Sequence, residues 1–492
     1  MEEQETMARI TIKDLSGPET LRSFAQETGA ISLCSRSHTF HENGHRIVSP
    51  EQTIQKIRTM LQRYHVNFVA RRVRLASQKQ LDRFFFVHKV SSCILRDNFG
   101  KDYSLGKGLT RNQSLVSGLC ELIERFSALV QPADRFFEAS VKDIEKAGMP
   151  FLDPRAMGLP DSTEVDKKKL NAFHEEHPIK WAEAWHLVQE RPMLVPVAYS
   201  HLLAPDQGCS ADRLVENRPN GLAAGNCLEE AILQAILEIV ERDAQAIFVW
   251  NQLPMPEIDP STLPRKKDRV LQQALNAAQA SGLEIILKDI TSDIGIPTVY
   301  AFGIDKSEKG PAFQWGVGTH LDPAIAVSRA FTELIQVRTV LMKFKKAVFR
   351  NIEEKYSPKW ISEHEEVAGY IKFYFPDAWE SVRYITRSKR VISFKEIPDS
   401  SKPDLLAEIR YCLDQITAAG LTDVIAVNHT RPGLEDIPVV RVIIPRMEFI
   451  PWAYYGGKGS APRRLATVPP ALGYRPSIDY IPGSGRESNF LL

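Results

Sequence analysis

With 492 residues, 43% hydrophobic and 25% charged, the chain has the material for a large soluble core shared by two or three subdomains. Its formal net charge of +1 lacks the basic excess of a general nucleic-acid binder, and no apolar run approaches the roughly 20 residues of a membrane span. The start, MEEQETMARI, is acidic and has no signal region, and the cysteines (Cys34, Cys93, Cys120, Cys209, Cys227, Cys412) are scattered without a CxxC pair. A cytoplasmic chain without a disulfide framework or a cysteine zinc site is therefore expected.

In chain order, residues 1–45 are mixed and polar and read as an N-terminal arm. Ser49-Pro50-Glu51-Gln52 has the form of a capping box, with Ile54, Ile57, Met60 and Leu61 on one face of a helix ending near Tyr64. Asn67–Val73 and Phe84–Leu95 read as strands, with Arg71, Arg72, Arg74 and Lys79 as a basic cluster. Asp97–Gly108 reads as a turn-rich loop before a helix over 110–130, and 131–175 as irregular. Trp181–Leu187 and Met193–Leu202 suggest a hairpin. Helices are expected over 227–249, 264–281, 323–340 and 403–419, with Gly420 as the last one's C-cap. KDITSDIGIPTVYAFGI (288–304) and VNHTRPGLEDIPVVRVII (427–444) share a strand, a polar loop and an Ile-Pro that opens a second strand, which suggests two equivalent β-units. Residues 343–400 read as an insertion or lid, and 451–492 as a tail.

The stretch with most chemistry is NGLAAGNCLEEAILQAILEIVERD, 220–243. On a helix, Glu230, Gln234, Glu238 and Glu241 fall at i, i+4, i+8 and i+11, one face of an otherwise apolar rod. Like charges so spaced repel, and burying them is costly, so a positive partner is required: basic side chains, or a hard cation such as Mg²⁺ with phosphate oxygens. SLVSGLCELIERF, 114–126, repeats the pattern with Ser117, Glu121 and Glu124 behind Gly106-Lys107-Gly108. Two such stripes, each ending in Glu-Arg, point to two walls of one metal–polyphosphate site. In RAFTELIQVR, 329–338, Arg329, Glu333 and Gln336 share a face, whereas Arg338 is rotated away from Glu333. GxxxxGK[ST], a full dinucleotide fingerprint, GxSxG and HExxH are absent, and the twelve histidines do not cluster in sequence. Cys120 and Cys227 are weighed mainly as packing.

GKGLTRNQSLVSGLCELIERF, NGLAAGNCLEEAILQAILEIVERD and GTHLDPAIAVSRAFTELIQVR, with KDITSDIGIP and IPVVRVIIP, resemble the nucleotide-binding motifs of the YcaO superfamily over roughly residues 45–450. The resemblance implies an α/β (α+β) domain over 46–450, with mixed and antiparallel sheets packed on long helices in two pseudo-equivalent halves. It implies ATP and Mg²⁺ as cofactors. A backbone amide is activated when its oxygen takes the γ-phosphoryl group; sulfide as nucleophile then gives a thioamide, and a Cys, Ser or Thr side chain gives an azoline. Carried onto this chain, Glu121, Glu124, Glu230, Glu238 and Glu241 hold the metal. Glu121, Glu241 and Arg242 act at the reaction centre. Lys107, Ser117, Arg125, Asn226, Gln234, Arg329, Gln336 and Arg338 contact the nucleotide.

Azoline-forming members often end in a Pro-x-Pro-x-Pro run, which YRPSIDYIPGSGRESNFLL lacks. RIVSPEQTIQKIRTML resembles the branch that works with a TfuA partner. The resemblance thus favours a thioamide-forming enzyme acting on a peptide or protein, with a TfuA-like partner, a sulfur donor and a homodimer as its assembly. Azoline-forming cyclodehydration and a non-catalytic ATP-binding scaffold stand as alternatives.

Overall fold

The computed structural model describes residues 9–11, 30–41, 44–63, 67–74, 81–92, 103–131, 134–159, 162, 165–166, 170–202, 213–215, 219–263, 269–307, 310–348, 379–447 and 463–476. From the N-terminus run β1 (Arg9–Thr11), the hairpin β2 and β3 (Thr39–His41, Gly44–Arg46) and α1 (Pro50–Arg63). The expected capping box is formed: Ser49 N donates to Gln52 Oε1 at 2.9 Å and Gln52 N to Ser49 Oγ at 3.3 Å. Next come β4 (Val69–Val73), β5 (Phe86–Ser91), β6 (Tyr103–Gly108) and α2 (Arg111–Ala128), then β7 (Phe136–Ala139), β8 (Ile179–His186), β9 (Arg191–Pro196) and β10 (Leu222–Ala224). The 24-residue α3 (Leu228–Asn251) follows, then β11 (Glu257–Ile258), α4 (Arg269–Ala280), β12 (Leu283–Asp289), β13 (Thr298–Asp305), β14 (Phe313–Thr319) and α5 (Pro323–Val348). The chain continues through β15 (Val391–Ile392), α6 (Leu405–Ala418), β16 (Ile425–Asn428), β17 (Val439–Ile443) and α7 (Arg463–Ala471).

The strands form a seven-stranded sheet (β1-β7-β8-β16-β17-β10, with β9 on β8), a five-stranded sheet (β14-β13-β12-β11-β15) and a three-stranded sheet (β4-β5-β6), beside the β2–β3 hairpin. This is the mixed and antiparallel α/β architecture that the sequence motifs imply. The two equivalent β-units are present bond for bond. Thr291 Oγ1 accepts from Thr298 N at 3.1 Å, and Thr430 Oγ1 from Val439 N at 3.2 Å. Asp289 Oδ1 accepts from Thr291 N at 3.1 Å, and Asn428 Oδ1 from Thr430 N at 3.0 Å.

A third unit joins them. β6 leads into α2, β10 into α3 and β14 into α5, and each of these strands lies antiparallel beside an inner strand: β5, β17 and β13. Gly106-Lys107-Gly108 is therefore strand and not the expected turn. Its glycine serves a close approach: a Cβ on Gly106 would sit 1.9 Å from Ser114 O and 2.3 Å from Gly118 N of α2. Gly316 of β14 meets Leu334 N of α5 at 2.2 Å in the same way. At these glycines the backbones of α2 and α5 lie directly on their own strands.

Several other expectations are corrected. The stretch 131–175 contains β7 and a helix, Val141–Ala147, with its own capping box at Ser140. Where it is described, the N-terminal arm is part of the body: β1 pairs in parallel with β7, and Glu229 Oε1 and Oε2 accept from Cys34 N and Arg36 Nε, both at 2.8 Å. The described ends of the proposed lid are built in: 343–348 completes α5, β15 pairs in parallel with β11, and Ile392 and Phe394 enter a core cluster. Residues 349–378 lie outside the described residues. Among those described, no helix is long and apolar enough to cross a membrane.

Candidate active site

The three helices present the same three positions, i, i+4 and i+7: Ser117, Glu121, Glu124 on α2; Gln234, Glu238, Glu241 on α3; Arg329, Glu333, Gln336 on α5. The middle residue of each accepts from the strand of its own unit. Glu121 Oε2 takes Leu105 N at 3.0 Å, Glu238 Oε2 takes Gly221 N at 3.2 Å, and Glu333 takes the Val317 N–H. The last residue reaches the strand of the next unit. Glu124 Oε1 accepts from Ala224 N at 2.8 Å, Glu241 Oε2 accepts from Thr319 N at 3.1 Å, and Gln336 Nε2 donates to Leu105 O at 2.8 Å. The pattern runs from the first unit to the second, the second to the third, and the third back to the first. It closes a ring of acids.

Three bases face this ring. Lys107 Nζ lies 2.9 Å from Glu333 Oε2, and Arg125 Nη2 3.3 Å from Glu121 Oε1. Arg242 Nη2 lies 3.1 Å from Glu241 Oε1, with its Nη1 3.7 Å from Glu333 Oε1. Arg329 and the buried Arg441 also act on Glu241 and Glu238, yet desolvation leaves several of the acids undercompensated. Burial pushes Glu124 up to about 8, reinforced by Glu121 and Glu238. Burial likewise lifts Glu241 to about 7; Arg242 and Lys107 oppose this, and Glu333 and Glu238 add to it. Glu238 is raised as well, chiefly by burial. Burial also acts to raise Glu333, but Lys107, Arg242 and the Val317 N–H outweigh it and hold that carboxyl below its usual range. Glu333 is thus the anchor of the bases, and three neighbouring acids lack full compensation.

Such a pocket is made for a cation, and its donors are all oxygens, which suits Mg²⁺. Yet among the described residues the ring does not bring three acid oxygens within 4.8 Å of one another; that closeness occurs only at His38, His45 and Glu408. A Mg²⁺ in the ring would complete its shell with water and with oxygens of a second, anionic ligand. Lys107, Arg125 and Arg242 are the cations in ion-pair contact with the ring carboxylates. Ser117 and Gln234, at the first positions of their helices, are half-buried and make no hydrogen bond among the described residues.

Three sequence assignments change. Arg338 is turned out of the ring into a fully buried pair, with Nη2 2.7 Å from Asp305 Oδ2 and Nη1 2.7 Å from Gln314 Oε1. Two residues past Gln336, it points elsewhere on the helix. Arg329, in contrast, donates from Nη1 to Thr319 O at 3.1 Å, beside the bond that Glu241 makes to Thr319 N. Burial and Arg46 lower it to about 9. Glu230 stands about 12 Å along the helix from Glu238, and its oxygens are given to Ile47 N at 2.7 Å and to Asn226 N and Nδ2, both at 2.9 Å. One Mg²⁺, with ligands about 2.1 Å away, is not shared by Glu230 and the ring. Asn226 also accepts from Thr53 Oγ1 at 2.9 Å, so it ties α1 to the start of α3.

Two residues have no role in the sequence assignment, although Glu333 is placed there on the face of Arg329 and Gln336. Glu333 could have been found by laying the three helices over one another, where it matches Glu121 and Glu238. Arg46, whose Nε is 4.0 Å from Glu230 Oε2 and which acts on Arg329 and Cys120, carries no local signal. The thiols of Cys120 and Cys227 are pushed up by burial, the latter to about 12, which fits packing and not nucleophilic work.

Residues 105–448 match the family model described as YcaO cyclodehydratase, ATP- and Mg²⁺-binding, and the chain therefore belongs to the YcaO family. ATP and Mg²⁺ are its cofactors. An uncharacterized protein of Methanothermobacter thermautotrophicus is 32% identical over 355 residues, 70% of this chain and 81% of that protein. An uncharacterized protein in the tfuA 3' region of Rhizobium leguminosarum bv. trifolii is 28% identical over 363 residues, 70% and 76% of the two chains. Among solved structures, a heterocyclase in complex with substrate and cofactor superposes with a TM-score of 0.74 at 24% identity, over 93% of this chain and 59% of that one. This chain thus spans less than two thirds of that heterocyclase. YcaO from Methanopyrus kandleri, bound with AMPPCP and Mg²⁺, superposes with a TM-score of 0.60 at 22% identity, over 84% and 94%. At these identities both likenesses speak to the fold.

Proposed function

We propose that the acid ring holds Mg–ATP and that the chain uses it to activate a backbone amide of a peptide or protein, exchanging the amide oxygen for sulfur. The observation that carries this reading is the ring itself: buried carboxylates without full compensation, too spread to cage a bare ion, interleaved with three bases. Bound Mg–ATP supplies the phosphoryl group with which the amide oxygen departs as phosphate; a separate sulfur donor provides the incoming atom. Glu121, Glu124, Glu238 and Glu241 are the carboxylates on which the metal would rest. Lys107, Arg125 and Arg242 would neutralise the polyphosphate, with Glu333 fixing two of them. Arg329, Gln336, Ser117 and Gln234 would complete the contacts. Phosphoryl transfer asks mainly for positioning and charge neutralisation, so this reading needs no activated nucleophile from the chain.

The relative from a tfuA 3' region supports a TfuA-like partner and the thioamide branch. The heterocyclase likeness favours a second reading, azoline formation on a ribosomal peptide. Incubating the protein with Mg–ATP, a sulfur donor, a TfuA-like partner and candidate peptides separates them by mass spectrometry. Replacement of oxygen by sulfur supports the first reading. Loss of water supports the second. ADP-free binding in every combination would sink both in favour of a scaffold. The cytoplasm, where ATP and reduced sulfur are present, is the setting this chemistry needs.

A further inference from the structure

We propose that His38, His45 and Glu408 form a second metal site, for a divalent ion of the zinc class, apart from the acid ring. His45 is on β3, His38 just before β2, and Glu408 in the first turn of α6. Glu408 is more than 360 residues from the two histidines, yet one nitrogen of each ring and a carboxylate oxygen all lie within 4.8 Å of one another. His45 Nδ1 is 2.8 Å, and His38 Nε2 3.6 Å, from Glu408 Oε1. Those spacings bracket the roughly 3.4 Å edge of a tetrahedron with Zn–ligand bonds near 2.1 Å.

A second observation points the same way. Glu408 is fully buried, and its other oxygen, Oε2, has no hydrogen-bond partner. A buried carboxylate oxygen left without a donor is costly, and a cation there removes the cost. His38 Nε2 donates to Lys402 O at 3.0 Å, a bond that the ion would displace, and Lys402 N donates to Glu408 Oε1 at 3.4 Å. The donor set decides the ion. Two imidazoles and one carboxylate suit zinc and its neighbours, whereas the oxygen-only ring suits Mg²⁺. The two rings lie parallel with centroids 4.0 Å apart. An imidazole binds an ion in its own plane, so ligation turns one ring out of the stack. The structural consequence is a clamp that fixes the β2–β3 segment to α6, beside the Arg329 that Glu408 helps to hold charged.

The test uses full-length, tag-free protein dialysed against Zn²⁺, with metal content read by plasma mass spectrometry and affinity by chelator competition. A single tightly held zinc per chain is expected, weakened about tenfold or more in Glu408→Gln and, separately, in His38→Ala, and unchanged in Glu124→Gln. Binding should also shift the histidine ring resonances of the stacked pair. Wild-type protein that retains no zinc would overturn the site, as would zinc held as tightly by Glu408→Gln and His38→Ala as by the wild type. Should Glu408→Gln fail to fold, His38→Ala, on the outer segment, decides.

Discussion

Two buried acids on α3, Glu241 and Asp243, are only two residues apart and live in opposite circumstances. Asp243 is clamped by Arg464 of α7, Oδ1 to Nε at 2.9 Å and Oδ2 to Nη2 at 2.8 Å, and the same guanidinium also takes Asp293. Arg464 is desolvated, yet these two acids hold it above its ordinary value. Glu241 has one backbone N–H and a shared arginine, and sits near neutrality instead of well below it. Burial of a charge is therefore no sign of function by itself. In the function proposed here, the working acids are those that the fold buries and leaves undercompensated, so that a ligand completes their neutralisation.

This contrast can be broken from either side. Glu241→Gln should lower Mg-dependent ATP turnover by on the order of 10²-fold or more while leaving the melting temperature unchanged or higher. Asp243→Asn should do the reverse, costing about 3 kcal/mol of stability by stranding Arg464, measured by denaturant unfolding. Equal loss of stability in both would mean that Glu241 is structural. The two arginines of α5 sharpen the same point. Arg338→Met should destabilise by about 3 kcal/mol with nucleotide affinity retained in the folded fraction, whereas Arg329→Met should weaken nucleotide binding measured by calorimetry. A smaller effect, about tenfold in the KM for ATP, or about 1.4 kcal/mol, is expected of Glu333→Gln, which frees Lys107 and Arg242 from their anchor; an unchanged KM would remove Glu333 from the site.

The smallest effect is with pH. Glu124 and Glu241 titrate in the folded protein near 8 and 7, above the roughly 4.3 of an unfolded glutamate. For these two groups the folded chain binds more protons than the unfolded one up to about pH 8, so their contribution to stability falls as pH rises, whereas buried His201, His320 and His429, held below their usual range, act in the opposite sense below about pH 6.5 and leave pH 7 to 8 as the window that reads the acids. Mg²⁺ and nucleotide favour the ionised acids and should flatten the slope. Unfolding midpoints at pH 7 and pH 8, with and without Mg–nucleotide, check both halves. A ligand-free protein more stable at pH 8 would show that the ring acids are already compensated.

Much of the ring was readable as periodicity. Glu121, Glu124, Glu238 and Glu241 repeat at helical spacing on oily rods, and such spacing dictates a shared face whatever the surroundings. Arg338 shows the limit of a motif reading: its position two residues past Gln336 already turned it away. Gly106-Lys107-Gly108 was misjudged because glycine favours turns locally, and only the helix packed against it explains why a strand needs glycine. Glu230 belonged to the right stripe and yet serves the N-terminal segment, since its distant partner, Ile47 N, is invisible to any local window.

The sequence by itself determined the three acid-bearing helices, the matching β-units and the family, because all of these follow from local spacing of residue types. Tertiary structure alone decided that three units and not two close the ring, that Glu333 joins it and Arg338 does not, and that Glu408 finds His38 and His45. The reason is physical: compensation of a buried charge depends on which groups the fold brings within a few ångströms, and those groups come from parts of the chain hundreds of residues apart.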